Sequence, residues 1–370
     1  MSLSVEELTM LANEIRNFIG VTRKRPIIHV TSKLVTTLNF SLAKILRSFG
    51  EDCAIIEVNE NDEFILFAAD GIWHKLVEAD PYFAGYCSVL VNVNDIVAKG
   101  GKPMVLVDIL GLSDQEKSDK IVAGIIDGCK KFGVACVGGH LHPDSPMLSI
   151  SVAILGLVHK DHIIFSDTAK IGDSIIIAID LDGTFHSKFK LAWDTTSHKS
   201  PEKVREKFEA IYRIAEEKLA TACKDISNPG SIGTLAMLLE ASNVGGKIDV
   251  EKIPRPENIN LLKWLKVYPG FGAILTSSKN NSKKCIKILE DHGISASIVG
   301  KVIQEKRLFI GSNNKYIPVF DFLKDHISGS CSRRQRAKNN NPYIFCREIS
   351  RFRRDNYPRN CTYEDLKLRT

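Results

Sequence analysis

Asn92-Val93-Asn94-Asp95-Ile96-Val97-Ala98-Lys99-Gly100-Gly101-Lys102-Pro103-Met104-Val105-Leu106-Val107-Asp108-Ile109-Leu110 is the stretch on which the fold turns. Its first part continues an apolar helix expected over 81–99, which opens with Pro81, a residue suited to a first helical turn. Gly100-Gly101 suits its end. Residues 104–110 then read as a buried strand. Asn92, Asn94 and Asp95 interrupt an otherwise apolar run, and a charged Asp in that run is costly if buried without a partner.

Working outward, apolar spacing predicts helices over 4–18 and 33–49. Strands are expected over 53–58 and 63–69, joined by a hairpin-like turn at 59–62. C-terminal to the opening stretch come a helix over 114–132, a short strand over 134–137 that runs into Gly138-Gly139, and a longer strand over 148–158. The interleaving predicts a mixed α/β unit over 1–160. A second α/β unit is expected over 161–325. It has strands at 174–179, 271–276, 294–302 and 307–310, and helices at 201–219, 230–242 and 282–292. Residues 181–200 read as irregular.

The 370 residues are 44% hydrophobic and 25% charged. These are ordinary values for a globular chain with a real core, and they exclude a largely disordered one. Nine scattered Cys with no CxxC pair fit free thiols in a reducing cytoplasm, not a disulfide scaffold. No apolar run approaches the roughly 18–20 residues that span a bilayer, and no signal peptide is recognised, so no membrane partner is expected. The net charge of +6 is unevenly spread. From Ile327 to Thr370 eleven Lys or Arg face four acids, a net +7, which leaves −1 for the body. The tail, 326–370, is expected to be weakly ordered alone and to suit an acidic partner. The near-neutral body does not look like a nucleic-acid binder.

Three groups of residues have the chemistry for a site. Asp52, Asp70 and Asp95 sit where strands and helices end, and three such acids can converge on one Mg²⁺-phosphate group, since Mg²⁺ takes carboxylate and phosphate oxygens. They serve equally well as turn formers and a solvated helix position. Gly138-Gly139-His140-Leu141-His142-Pro143-Asp144 lets backbone approach a ligand and alternates His140, His142 and Asp144 along one side, a spacing open to a transition metal or to plain surface histidines. Lys224-Asp225-Ile226-Ser227-Asn228-Pro229-Gly230-Ser231-Ile232-Gly233-Thr234 leads into an apolar helix, whose start is either an anion site or simply well capped. A phosphate loop, GxGxxG, GxSxG and HExxH are all absent.

Asp70-Gly71, the run from Asn92 to Pro103, Val137-Gly138-Gly139 and Asp225-Ile226-Ser227-Asn228 with Gly233, taken together, resemble the AIR synthase superfamily. Ala68-Ala69-Asp70-Gly71-Ile72-Trp73 and Gly139-His140-Leu141-His142-Pro143-Asp144 are similar to the AIR synthase-related subfamily that includes methanogenesis marker protein 2. The resemblance spans about residues 1–325. It implies a two-domain fold whose N-terminal units pair as a homodimer, forming a β-barrel across the interface with flanking helices.

It also implies an enzyme that binds ATP without a phosphate loop and uses Mg²⁺ or another divalent cation to transfer the γ-phosphoryl group to an oxygen of a small molecule. Asp70 and Asp95 carry the catalytic expectation. Asn92, Asn94, Gly138, Gly139, Asp225, Asn228 and Gly230 carry the ligand contacts, and Asp52, Asp70, Asp95, His140 and Asp144 the metal. Many members have an acid after the Gly-Gly pair, where this chain has His140. Either Asp144 takes over there, or the site prefers another ion, or one metal is lost. The alternative is a non-catalytic ATP- or metal-binding maturation or assembly factor.

Overall fold

A computed structural model describes residues 3–58 and 62–329. The basic segment from 330 onward and residues 59–61 of the expected hairpin turn lie outside the described residues. The first sheet has six strands, β1 (Lys44–Arg47), β2 (Ala54–Glu57), β3 (Glu63–Gly71), β4 (Lys102–Gly111), β5 (Ala135–His142) and β6 (Ser149–His159), in the order β1-β2-β3-β6-β4-β5. It is an open mixed sheet within one chain: β4 and β5 run parallel, while β3 and β6 pair antiparallel from Glu63↔His159 to Gly71↔Ser151.

Ten helices complete the described chain: α1 (Val5–Arg16), α2 (Ile19–Thr22), α3 (Ile27–Leu34), α4 (His74–Ala79), α5 (Pro81–Val97), α6 (Gln115–Phe132), α7 (Pro201–Glu216), α8 (Gly230–Ala241), α9 (Leu261–Leu265) and α10 (Ser282–Asp291). None is long and apolar enough to cross a membrane. The helix expected over 33–49 is replaced by α3, a 3₁₀ turn over Val35–Phe40 and strand β1. Val35, Thr36 and Thr37 are β-branched, which weakens continuation of the helix, and β1 gains an antiparallel partner in β2.

The second unit holds β7 (Ser174–Ile179), β8 (Thr184–Phe185), β9 (Ala192–Asp194), β10 (Ala222–Asp225), β11 (Gly245–Asp249), β12 (Tyr268–Pro269), β13 (Gly272–Ser277), β14 (Ser295–Ile303), β15 (Arg307–Ser312) and β16 (Lys315–Asp321). Seven of these form the sheet β10-β13-β7-β14-β11-β15-β16, and β12-β9-β8 form a small one. Strand β7 is buried on both faces, so its sequence is a continuous apolar run without alternation. Ile175, Ile177 and Ile179 join a core with α8 and α1, whereas Ile176 and Ala178 join one with α7 and α10. The latter core continues without a break into α5, α6 and the first sheet. The two units therefore share apolar packing, and that shared core sets the end of β10 against α5.

Helix α5 is buried almost all round. Asp80 caps it, accepting from the Phe83 N–H at 3.1 Å, and Pro81 occupies its first turn. It lies close against α6 because two glycines remove side chains at the crossing. A Cβ on Gly85 would sit 2.1 Å from the Ile121 carbonyl oxygen, and one on Gly124 would sit 2.0 Å from that of Tyr82. Overpacking of a tight core typically costs about 1–3 kcal/mol, whereas Ala in place of Gly inside a helix gains at most about 1 kcal/mol. Gly124→Ala is thus expected to lower the thermal and urea midpoints, and a rise in either would show that propensity outweighs this contact.

Candidate functional site

The site forms where α5, the loop before β2 and the end of β10 meet. Asp95 lies on the last turns of α5, Asp52 just before β2, and Asp225 ends β10. One carboxylate oxygen from each of these three residues lies within 4.8 Å of the others. Asp52 and Asp95 meet as expected. Asp225, expected as a ligand contact, supplies the third corner. Asp70 lies beside the group at the end of β3 and lines an adjoining cavity with Asp225.

Like charges so close raise one another. Burial, then the charges of Asp225 and Asp70, push the Asp95 carboxyl well above the ordinary range. Solvent reaches Asp70, yet burial by the surrounding protein raises its carboxyl too; Asp225 adds to the effect, and Lys24 and Arg23 oppose it.

Two buried lysines hold Asp52 in place; both stand in the stretches quoted from the sequence, but neither was given a role there. The Lys99 ammonium, fully buried, lies 2.9 Å from Asp52 Oδ2 and 3.2 Å from Glu51 Oε2, and it donates to the Cys223 carbonyl at 2.7 Å. Burial works against its charge, but Glu51 leads a set of partners that outweigh burial and raise its pKa. Lys224 forms a short ion pair with Asp52 Oδ1. Burial lowers its pKa, against the opposing charges of Asp225 and Glu51. Glu51 is itself fixed by the Ser166 N–H at 2.8 Å. The available signals were a Lys closing an apolar helix beside Gly-Gly, and a Lys immediately before the candidate Asp225.

The other expected residues sit as follows. Asn94 Nδ2 donates to the Gly270 carbonyl at 3.1 Å, and its buried Oδ1 has no partner. Asn92 turns inward, with Nδ2 donating to the Ser88 carbonyl at 2.8 Å. Asn228 lines the cavity with Asp70 and Asp225. Gly230 has φ +71°, and a Cβ there would sit 2.2 Å from the Leu265 carbonyl oxygen. Gly138, Gly139, His140 and His142 lie on β5, exposed at the edge of the first sheet, with Asp144 in the exposed turn beyond. The two imidazoles meet edge-on at 4.6 Å between ring centroids. His140 and Asp144 are not part of the three-carboxylate group.

Residues 50–158 match the pattern of the AIR synthase related protein N-terminal domain, and residues 170–312 that of the C-terminal domain. The chain belongs to the AIR synthase related family. The AIR synthase related chain is 50% identical over 326 residues to an uncharacterised protein of Methanocaldococcus jannaschii, covering 87% of this chain and 99% of the relative. It is 27% identical over 237 residues to the selenide, water dikinase of Colwellia psychrerythraea, covering 62% of this chain and 67% of that one. Its fold matches T. maritima PurL complexed with AMPPCP at a TM-score of 0.67 and 20% identity, over 85% of this chain and 50% of that one.

The raised carboxyls of this AIR synthase related site have a consequence for stability. As pH rises, the unfolded chain loses the Asp95 proton near its ordinary pKa of about 3.9, while the folded chain keeps it until the raised folded value. In that window the folded state binds more protons, so unfolding free energy falls with pH. In chelator, thermal midpoints are therefore expected to fall as pH increases from the ordinary Asp range towards neutrality through this group. Asp95→Asn should flatten that slope and raise the neutral-pH midpoint. An unchanged slope in the variant would show that Asp95 is not strained by its neighbours.

Proposed function

We propose that this chain is an ATP-dependent enzyme that transfers the γ-phosphoryl group to an oxygen of a small molecule. The observation that carries the reading is the convergence of Asp52, Asp95 and Asp225, from two different units, within 4.8 Å of one another. Three carboxylates form a hard-oxygen donor set that fits Mg²⁺ or a similar divalent cation, and their crowding favours a cation among them. Two relatives support the nucleotide. One is a selenide, water dikinase, and a PurL of the same fold is complexed with AMPPCP.

A bound divalent cation would supply charge neutralisation for the phosphates. The residues of this chain do the rest. Asp95 and Asp225 hold the carboxylate corner, and Lys99 and Lys224 orient Asp52 towards it. In the transfer, the acceptor oxygen bonds to the γ-phosphorus and the bond to the bridging oxygen breaks, releasing ADP. The phosphorylated oxygen is either retained as product or activated as a leaving group. Asp70, lining the cavity with a raised carboxyl, is placed to take the acceptor's proton. Such transfers depend on positioning and electrostatics more than on covalent catalysis. Asp225→Asn is expected to lower kcat/KM for ADP release by about 100-fold or more. Calorimetry that finds no AMPPCP binding in Mg²⁺ would sink the reading. Binding without turnover across a broad acceptor panel would favour a maturation or assembly factor.

The same reading includes a homodimer. Helix α5 packs on one face of the first sheet, and among the described residues the opposite face carries exposed apolar side chains. Phe67, Val107 and Ile109 project from that opposite face and are 47%, 40% and 55% exposed, in register with Leu155, Ala153 and Ser151 of β6. An apolar sheet face of this kind marks an interaction surface, and a second copy of the chain offers the matching one. Phe67→Glu combined with Ile109→Glu should convert a dimer to a monomer in light scattering. A wild-type chain that is monomeric at tens of micromolar would remove this part of the proposal.

A further inference from the structure

The two lysines of the carboxylate site are not equivalent. Lys99 Nζ is saturated. It donates to Glu51 Oε2 at 3.2 Å, to Ser166 Oγ and to the Cys223 carbonyl at 2.7 Å, and it lies 2.9 Å from Asp52 Oδ2. Among the described residues Lys224 Nζ makes a single hydrogen bond, to Asp52 Oδ1. Its charge also reaches Asp225. Lys224 is therefore a buried positive charge that touches one acid of the group and acts on a second, as a metal ion there would.

Both oxygens of Asp52 are taken. Lys224 holds Oδ1, while Lys99 and the Ser166 hydroxyl, which donates at 3.3 Å, hold Oδ2. Asp95 and Asp225 form no ion pair among the described residues. The charges of the cluster can be counted. Asp52, Asp95, Asp225 and Glu51, all ionised, against Lys99 and Lys224 leave a net −2. The neighbouring acids have cations of their own: Asp167 has Arg47 at 2.9 Å, and Lys24 and Arg23 oppose the charge of Asp70. One divalent cation completes this balance. A second would leave an excess of buried positive charge, which is costly without a partner. Mg²⁺ usually takes one or two protein carboxylates and leaves the rest of its shell to water and phosphate. Asp95 and Asp225 are the two acids that no ammonium occupies.

We propose that Lys224 stands in for a second divalent cation, so that the carboxylate group of this chain takes a single ion before nucleotide arrives. Asp52, held by its two lysines, is the acid that a second ion would otherwise need. This deepens the reading given under Proposed function and rests on it.

The test counts ions, with no turnover involved. Mn²⁺ takes the same oxygen donors as Mg²⁺. Its binding to the full chain is followed by the loss of the free-ion signal in electron paramagnetic resonance, and the ions that disappear in Asp225→Asn are those of the group. Wild type is expected to hold one. Lys224→Met frees Asp52 Oδ1 and is expected to hold two, with the coupled signal of neighbouring ions. Asp52→Asn combined with Lys224→Met removes both members of the pair, which a buried site tolerates far better than the loss of one, and should return the count to one. Should Lys224→Met unfold in chelator, Mn²⁺ is expected to restore its thermal transition. Two ions in the wild-type chain overturn the inference and leave the parent reading standing. A single ion in folded Lys224→Met, two in the double variant, or no recovery by Mn²⁺ of an unfolded Lys224→Met also overturns it. If the wild-type group binds no Mn²⁺ at all, the parent reading falls and this one falls with it.

Discussion

Asp52 is held by two buried ammonium groups, Lys99 and Lys224, at a point where Asp95 and Asp225 also arrive. Much else in the molecule follows from that constraint. Taking several charges out of water is expensive unless each finds a partner. The arrangement satisfies Asp52 and Glu51 fully, through Lys99, Lys224 and the Ser166 N–H. Among the described residues Asp95 and Asp225 form no ion pair, and Asp95 bears the result as a raised carboxyl. The asymmetry separates two tasks. One carboxylate is a fixed post, and the others are left to meet a positive charge.

That post needs two units to stand still relative to each other. Lys99 bridges them: it closes α5 in the first unit and donates to the Cys223 carbonyl on β10 of the second. The continuous apolar core between α5, α6, α7 and the second sheet does the same on a larger scale. The glycine crossing of α5 and α6 brings the helix axes close, so the acid on α5 is carried by a rigid element, which keeps a site more exact than a loop does. Helix α1 reaches across to pack on β16 and β15, and Arg16 donates to the Val319 carbonyl at 2.7 and 2.9 Å. The N-terminal segment is thereby led past the loop at Asn228.

The site also shows how stability is given up locally for chemistry. Crowded carboxylates destabilise the cation-free chain, and the unpartnered Asn94 Oδ1 leaves a buried acceptor unused. Such local violations of good packing, within a chain whose helix caps, glycine crossings and sheet register agree with one another, concentrate at functional sites. The exposed β5 edge, with its paired His140 and His142, stands apart from this group.

Periodicity and punctuation were sufficient for α5, α6, β3, β4, β6 and β7, because each carries a sustained apolar or amphipathic pattern, and the two helices are bounded by a capping Asp and by Gly. Strands β10, β11 and β16 were missed. Their sequences (Ala-Cys-Lys-Asp, for example) carry buried Lys and Asp or exposed polar residues that make sense only beside their neighbours. The sequence by itself determined that acids stand at the ends of apolar elements, and it left open whether Asp52, Asp70 and Asp95 converge. Tertiary structure alone decided that Asp52 and Asp95 meet, that Asp225 completes the group and that two lysines hold it, because charge pairing between positions far apart in the chain leaves no local periodic trace.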